Sequence, residues 1–131
     1  MTQEQRKILH QQFQSINRNG VEFAREFYDR LFAQYPQVRP MFKHSLSEQY
    51  TKFIGMLSII IQGIDAPAAL VPLIAEMGES HKGYGVLSHH YRIVEEIFLS
   101  VLKDTLPDDY SDESEQAWKQ AFRFMSEIME E

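Results

Sequence analysis

Apolar residues recur along this chain at helical spacing almost throughout, and strand-like alternation is absent, so the pattern predicts an all-α protein. Thr2, with Gln5 in capping-box position, predicts the start of a first helix whose inner side is Ile8, Leu9, Phe13 and Ile16; Asn17 to Gly20 breaks it. A second helix carries Ala24, Phe27, Tyr28, Leu31, Phe32 and Tyr35. Pro36 and Pro40 then force a corner through Met41 and Phe42, with a short helical turn near residues 37–43. Ser45 and Glu48 predict a second capping box, ahead of a helix that buries Phe53, Met56, Leu57, Ile60, Ile61 and Ile64. Asp65-Ala66-Pro67 ends that helix and starts the next, with Pro67 near its first turn. Ser88 is expected to cap a long helix with Tyr91, Val94, Ile97, Phe98, Val101 and Leu102 inward. After a polar loop, Ser111 followed by Asp112 and Glu113 opens the last helix, whose inner face is Trp118, Ala121, Phe122, Met125 and Ile128. Six main helices and one short turn result, and with no repeat or linker the length suits a single domain over residues 1–131.

Three polar side chains interrupt faces that should be apolar. Tyr28 shares a stripe with Ala24, Leu31 and Phe32; Gln49 stands four residues before Phe53; His81 follows Met77 by four. Each has an ordinary explanation alone: a tyrosine reaching water, a first-turn glutamine leaving the core, a histidine near a helix C-terminus. Together they require partners, since buried polar groups are hydrogen-bonded. His81 also ends its apolar stripe just before a glycine-punctuated exit, Lys82-Gly83-Tyr84-Gly85-Val86. An apolar slot entered by one imidazole and by a Tyr–Gln pair suits a haem iron and its bound gas. Imidazole binds iron through one ring nitrogen, and the other is expected to donate to the Met77 carbonyl four residues back.

Composition narrows the alternatives. Nine Phe, six Tyr and one Trp are a large apolar payload for 131 residues, enough to wall a flat ring. A formal charge of -6 argues against nucleic acid and against an anionic membrane surface. The absence of Cys excludes disulfides and thiolate metal sites. No apolar run approaches a membrane span and the N-terminus is too polar for a signal peptide, so a cytoplasmic location is expected. Glu95 and Glu96, like Glu22, Glu26 and Asp29, read as a solvated face; His89 and His90 are expected to be exposed; His10 and His44 lack a metal-ligand spacing partner.

The segments Phe27-Tyr28-Asp29-Arg30-Leu31-Phe32, Tyr35-Pro36-Gln37-Val38-Arg39-Pro40-Met41-Phe42, His81 through Val86, His90-Tyr91-Arg92-Ile93-Val94 and Ala117-Trp118, in this order, resemble the bacterial single-domain globins and the globin half of flavohaemoglobins. The resemblance implies a globin fold around one haem b (iron protoporphyrin IX), with His81 as the proximal ligand. It places Phe42 on the haem near the corner, Tyr28 and Gln49 beside the bound gas, Phe53 one turn further along the distal helix, and Tyr91 close to His81. Met77, Val86 and Val94 complete the residues expected to contact the cofactor. Two departures stand out. The chain reaches Glu131 before the register of the late glutamate that flavohaemoglobins set beside the proximal His and Tyr, and Glu127 and Glu130 do not align with it. Phe53 replaces what is more often a smaller aliphatic residue. The expected function is reversible binding of oxygen or another diatomic, nitric oxide or CO, with oxygen transport as one use. The alternative is a nitric oxide dioxygenase, in which bound oxygen converts nitric oxide to nitrate with electrons from a separate reductase. A gas sensor ranks lowest, because nothing resembles an output domain.

Overall fold

A computed structural model describes all 131 residues, which form six α-helices and two short 3-10 turns, with no strand. The helices are α1 (Gln3–Asn17), α2 (Gly20–Gln34), α3 (Leu46–Gly63), α4 (Val71–Gly83), α5 (Ser88–Thr105) and α6 (Asp112–Met129); the 3-10 turns are Pro36–Met41 and Pro67–Leu70. The all-α reading and the count of main helices hold.

Local chemistry sets most of the boundaries. Thr2 and Gln5 exchange their capping-box bonds at 3.1 and 2.9 Å. Ser111 and Ser114 do the same ahead of α6, where Asp112, Glu113 and Glu115 complement the helix dipole. Three expectations need correction. Ser45 accepts from the Glu48 backbone at 3.4 Å, but the Glu48 side chain pairs with His44 Nδ1 at 3.3 Å, so only half the box forms. Pro67 opens a 3-10 turn of its own, and the helix bearing His81 begins at Val71 with Pro72 in its first turn. Ser88 is already helical; the residue before α5 is Leu87, whose N–H donates to His90 Nδ1 at 2.8 Å, so an imidazole takes the place of the expected hydroxyl cap.

α2 packs against α3 and α5, and α1 packs against α6 and α3. The α4 backbone lies close only to α6 and the turn Pro67–Leu70. The main core centres on Phe98 and Trp118, both fully buried, with ring centroids 4.8 Å apart. A smaller group, Ile60, Leu70, Ile74, Met125 and Met129, joins α3, α4 and the end of α6. The residues between the two groups face a cavity instead of each other. That is why Phe53 and Met56, expected in the core, are only half-buried.

Two polar residues are buried, Ser114 at the start of α6 and Gln12, and Gln12 links distant elements. Gln12 is buried; its Oε1 accepts from Trp118 Nε1 at 2.8 Å and its Nε2 donates to the Asp109 carbonyl at 2.9 Å. It ties α1 to α6 and to the loop before it. Gln12→Ala leaves the indole N–H without a partner and should destabilise the protein by about 1–3 kcal/mol, measured by urea unfolding.

Candidate functional site

A cavity of about 510 Å³ opens between α2, α3, α4, α5 and the end of α6. Most of its lining is apolar, and the structure brings all nine residues singled out from the sequence to it: Tyr28, Phe42, Gln49, Phe53, Met77, His81, Val86, Tyr91 and Val94. The volume lies inside the ~300–1,000 Å³ range of small-molecule and cofactor pockets.

α4 delivers His81 from its last turn. The helix ends two residues later because Gly85 adopts φ +84°, a left-handed conformation that a side chain would strain. The Tyr84 and Val86 N–H groups both turn back to donate to the His81 carbonyl at 3.0 Å. The His81 ring faces Tyr91, with centroids 6.1 Å apart. Its Nδ1 is buried and has no hydrogen-bond partner, so the expected bond to the Met77 carbonyl is not made. Burial holds the imidazole below the ordinary histidine range, which keeps it neutral and able to act as a ligand.

Tyr28 comes from α2 and is held in an aromatic box. The Phe42 ring meets it edge-on at 5.4 Å, and Phe27, Phe32, Tyr50 and Phe53 surround it at 5.1–5.9 Å. Burial first, and the neighbouring Tyr50 second, push its phenol well above the usual tyrosine range; no hydrogen bond to another residue contributes. Tyr28 therefore stays a proton donor wherever the protein is folded. Phe53 stacks on Phe27 at 4.6 Å and 24°, which fixes a large ring in the cavity wall. Gln49 is half-buried in the first turn of α3.

The sequence pattern missed several parts of this wall. Tyr50 is buried behind Tyr28, though it neighbours a residue that had been singled out. Met125, Ser126 and Met129 bring the end of α6 to the cavity, which chain order cannot foresee. Lys43 and Lys52 are exposed residues on the cavity lining, and so mark its mouth, and neither is in an ion pair. His90, expected to be exposed, is half-buried and lines the cavity because it caps α5. Glu95 is likewise not solvated: its side chain is 17% exposed, Oε1 is buried without a hydrogen bond, and Arg123 Nε stands 4.0 Å away.

A globin family model matches residues 25–129. A flavohemoprotein of Bacillus subtilis is 26% identical, aligning 82% of this chain with 28% of its own length, and one of Vibrio cholerae is 24% identical, aligning 98% with 33%. The chain thus spans about a third of the length of the curated relatives it matches. Among solved structures, an engineered carbene transferase built on a candidate nitric oxide dioxygenase of Rhodothermus marinus superposes with a TM-score of 0.87 at 27% identity, over 99% of this chain and 91% of that one. A bacterial globin from Campylobacter jejuni superposes at 0.85 with 25% identity, over 98% and 94%.

The His90 cap carries a pH dependence. Burial, then the adjacent His89, hold His90 below the ordinary histidine range, and burial holds His81 there too. The unfolded chain therefore takes up protons on both residues as pH falls below about 6.5, before the folded chain does, and stability is lost with falling pH from that point. His90→Ala should cost about 0.5–2 kcal/mol at pH 8 by removing the cap. The same variant should show a shallower loss between pH 7 and 5, measured by urea unfolding of the cofactor-free protein.

Proposed function

The chain belongs to the globin family, and on that footing we propose that it is a haem protein that reversibly binds oxygen or another diatomic gas at an iron ligated by His81. The observation that carries this reading is the His81 imidazole: neutral, with Nδ1 buried and unpartnered, on the wall of a mostly apolar cavity that Tyr28 and Gln49 also enter. Haem b, when bound, supplies an iron with an open position for a small ligand. The chain supplies the rest. Phe42, Phe53, Met77, Val86 and Val94 offer an apolar wall to a flat ring, and Tyr91 packs beside the His81 ligand. Lys43 and Lys52, at the mouth and free of acidic partners, suit the two propionate carboxylates. The protonated Tyr28 hydroxyl and the Gln49 amide donate hydrogen bonds to a gas ligand that carries partial negative charge.

Nitric oxide dioxygenase activity is a second reading, favoured by the likeness to the Rhodothermus marinus structure. It would use the same Tyr28 and Gln49 with electrons from a separate reductase. Sustained nitrate formation with a reductase supplied in trans, at a rate set by that reductase, would establish it; oxygen binding without turnover leaves the first reading.

Replacing His81 by Ala should abolish or greatly weaken haem retention, as read by haem content after gel filtration. A variant with parental haem content and ferrous spectrum would refute the assignment. Tyr28→Phe deletes a bond worth about 1.5–3 kcal/mol to a partly charged ligand. Oxygen should then dissociate at least about tenfold faster, with CO much less affected; stopped-flow off-rates measure both. Phe53→Leu should widen the cavity at little cost to folding, since both side chains are apolar. A ferric titration should show tighter imidazole binding in the Leu variant, and equal affinities would mean that Phe53 does not gate the site.

A further inference from the structure

The helix that carries His81 is held in place chiefly by α6. α4 has only two buried residues, Ile74 and Gly78, and its backbone lies close only to α6 and the turn Pro67–Leu70, with Ile74 also grouped with Ile60 of α3. Gly78 lies three residues before His81. A Cβ at this position would stand 2.6 Å from the Met129 carbonyl oxygen and 2.7 Å from Met129 Cα. Both atoms are backbone, so no rotamer change relieves the collision; the helices approach this closely only because residue 78 has no side chain. On the other side of His81, Lys82 Nζ donates to the Glu131 carbonyl and pairs with Glu79 at 3.4 Å. The His81 ring itself has no protein hydrogen bond at Nδ1 to steer it. Its position therefore follows from where α4 sits, and residues 129–131 meet α4 on both sides of His81 in sequence, at Gly78 and at Lys82.

We infer that Gly78 and the Met129–Glu131 segment are positioning residues for the iron ligand: the Gly78–Met129 backbone contact sets the distance of α4 from α6, the Lys82–Glu131 bond sets its rotation, and together they fix how far His81 reaches toward the bound iron. This rests on the reading of His81 as that ligand. It goes beyond that reading in making the last turn of α6 a lever on the iron–imidazole bond, so that a movement of this segment changes the bond without touching haem or gas.

The iron–imidazole stretching band in the resonance Raman spectrum of the ferrous haem protein reports the tension in that bond. It should be recorded for the parent, for Gly78→Ala, for a chain shortened after Ile128, and for the shortened chain carrying Gly78→Ala. The expected result is a shifted band and about 10–100-fold weaker haem binding in Gly78→Ala, the range for removing support behind a metal ligand. In the shortened chain, Gly78→Ala should cause no further shift, because its collision partner is gone. An unchanged band in Gly78→Ala overturns the inference, as does an equal shift with and without residues 129–131, since the effect would then arise within α4. Should Gly78→Ala not fold, Lys82→Met and the shortened chain carry the test: both should shift the band, and parental bands in both overturn the inference. A parent that binds haem but shows no iron–imidazole band overturns the His81 reading and this inference with it; a normal parental band that no variant moves overturns this inference alone.

Discussion

A chain of 131 residues that keeps a cavity of about 510 Å³ in its middle carries a cost that the rest of the structure must answer. At about 24 cal/mol per Å³ a closed, dry void of that size would cost on the order of 12 kcal/mol, as much as the whole net stability of an ordinary domain. The open mouth, marked by the exposed Lys43 and Lys52, admits water and lowers that figure. The direction remains: the apolar walls of the cavity lack the contacts that a filled core would give them, and a bound group that fits the gap would supply them. The aromatic box around Tyr28 and the fully buried Phe98–Trp118 pair build a rigid half that does not depend on the filling. α4, held chiefly by α6 and the turn Pro67–Leu70, forms the more thinly supported half.

That asymmetry separates two kinds of chemistry. On the rigid side, Tyr28 keeps its proton because it is buried among rings, and Phe53 is locked against Phe27. A donor held this firmly can discriminate between ligands of different polarity, since it cannot move away from a poor acceptor. On the α4 side, His81 is desolvated, and its Nδ1 finds no acceptor to which an N–H could donate and so raise the basicity of the ring. In the proposed haem complex, helix position and packing against Tyr91 are what would tune the bond from His81 to iron.

The cavity positions of Phe42, Phe53, Met77, Val86, Tyr91 and Val94 are what the family resemblance implies; helix content, most caps and the three polar residues were legible in the pattern itself, because a 3.6-residue apolar period is a strong signal and a polar residue that breaks it is conspicuous. Tyr28, Gln49 and His81 stood out in this way. The failures arise where a particular contact, and not the spacing of residue types, decides the outcome. Ser88 has the right side chain for a cap, yet His90 reaches the Leu87 N–H instead. Glu95 has the charge of a solvated residue, but it stands at helical spacing from the inward Tyr91 and Phe98, and Arg123 of α6 lies beside it. Tyr50 was read as neither core nor site, because a residue flanking a conspicuous one draws no attention by spacing. Met129 and Gly78 meet through a close approach of two backbones, which no local pattern announces.

The most direct test is to titrate the cofactor-free protein with haemin by absorbance and then unfold the free and loaded forms in urea. Saturation at one haem per chain, with the loaded form more stable by several kcal/mol as tight ligand linkage requires, is the expected result. No saturable uptake, or uptake that leaves the unfolding midpoint where it was, would contradict the claim that this cavity exists to be filled by haem.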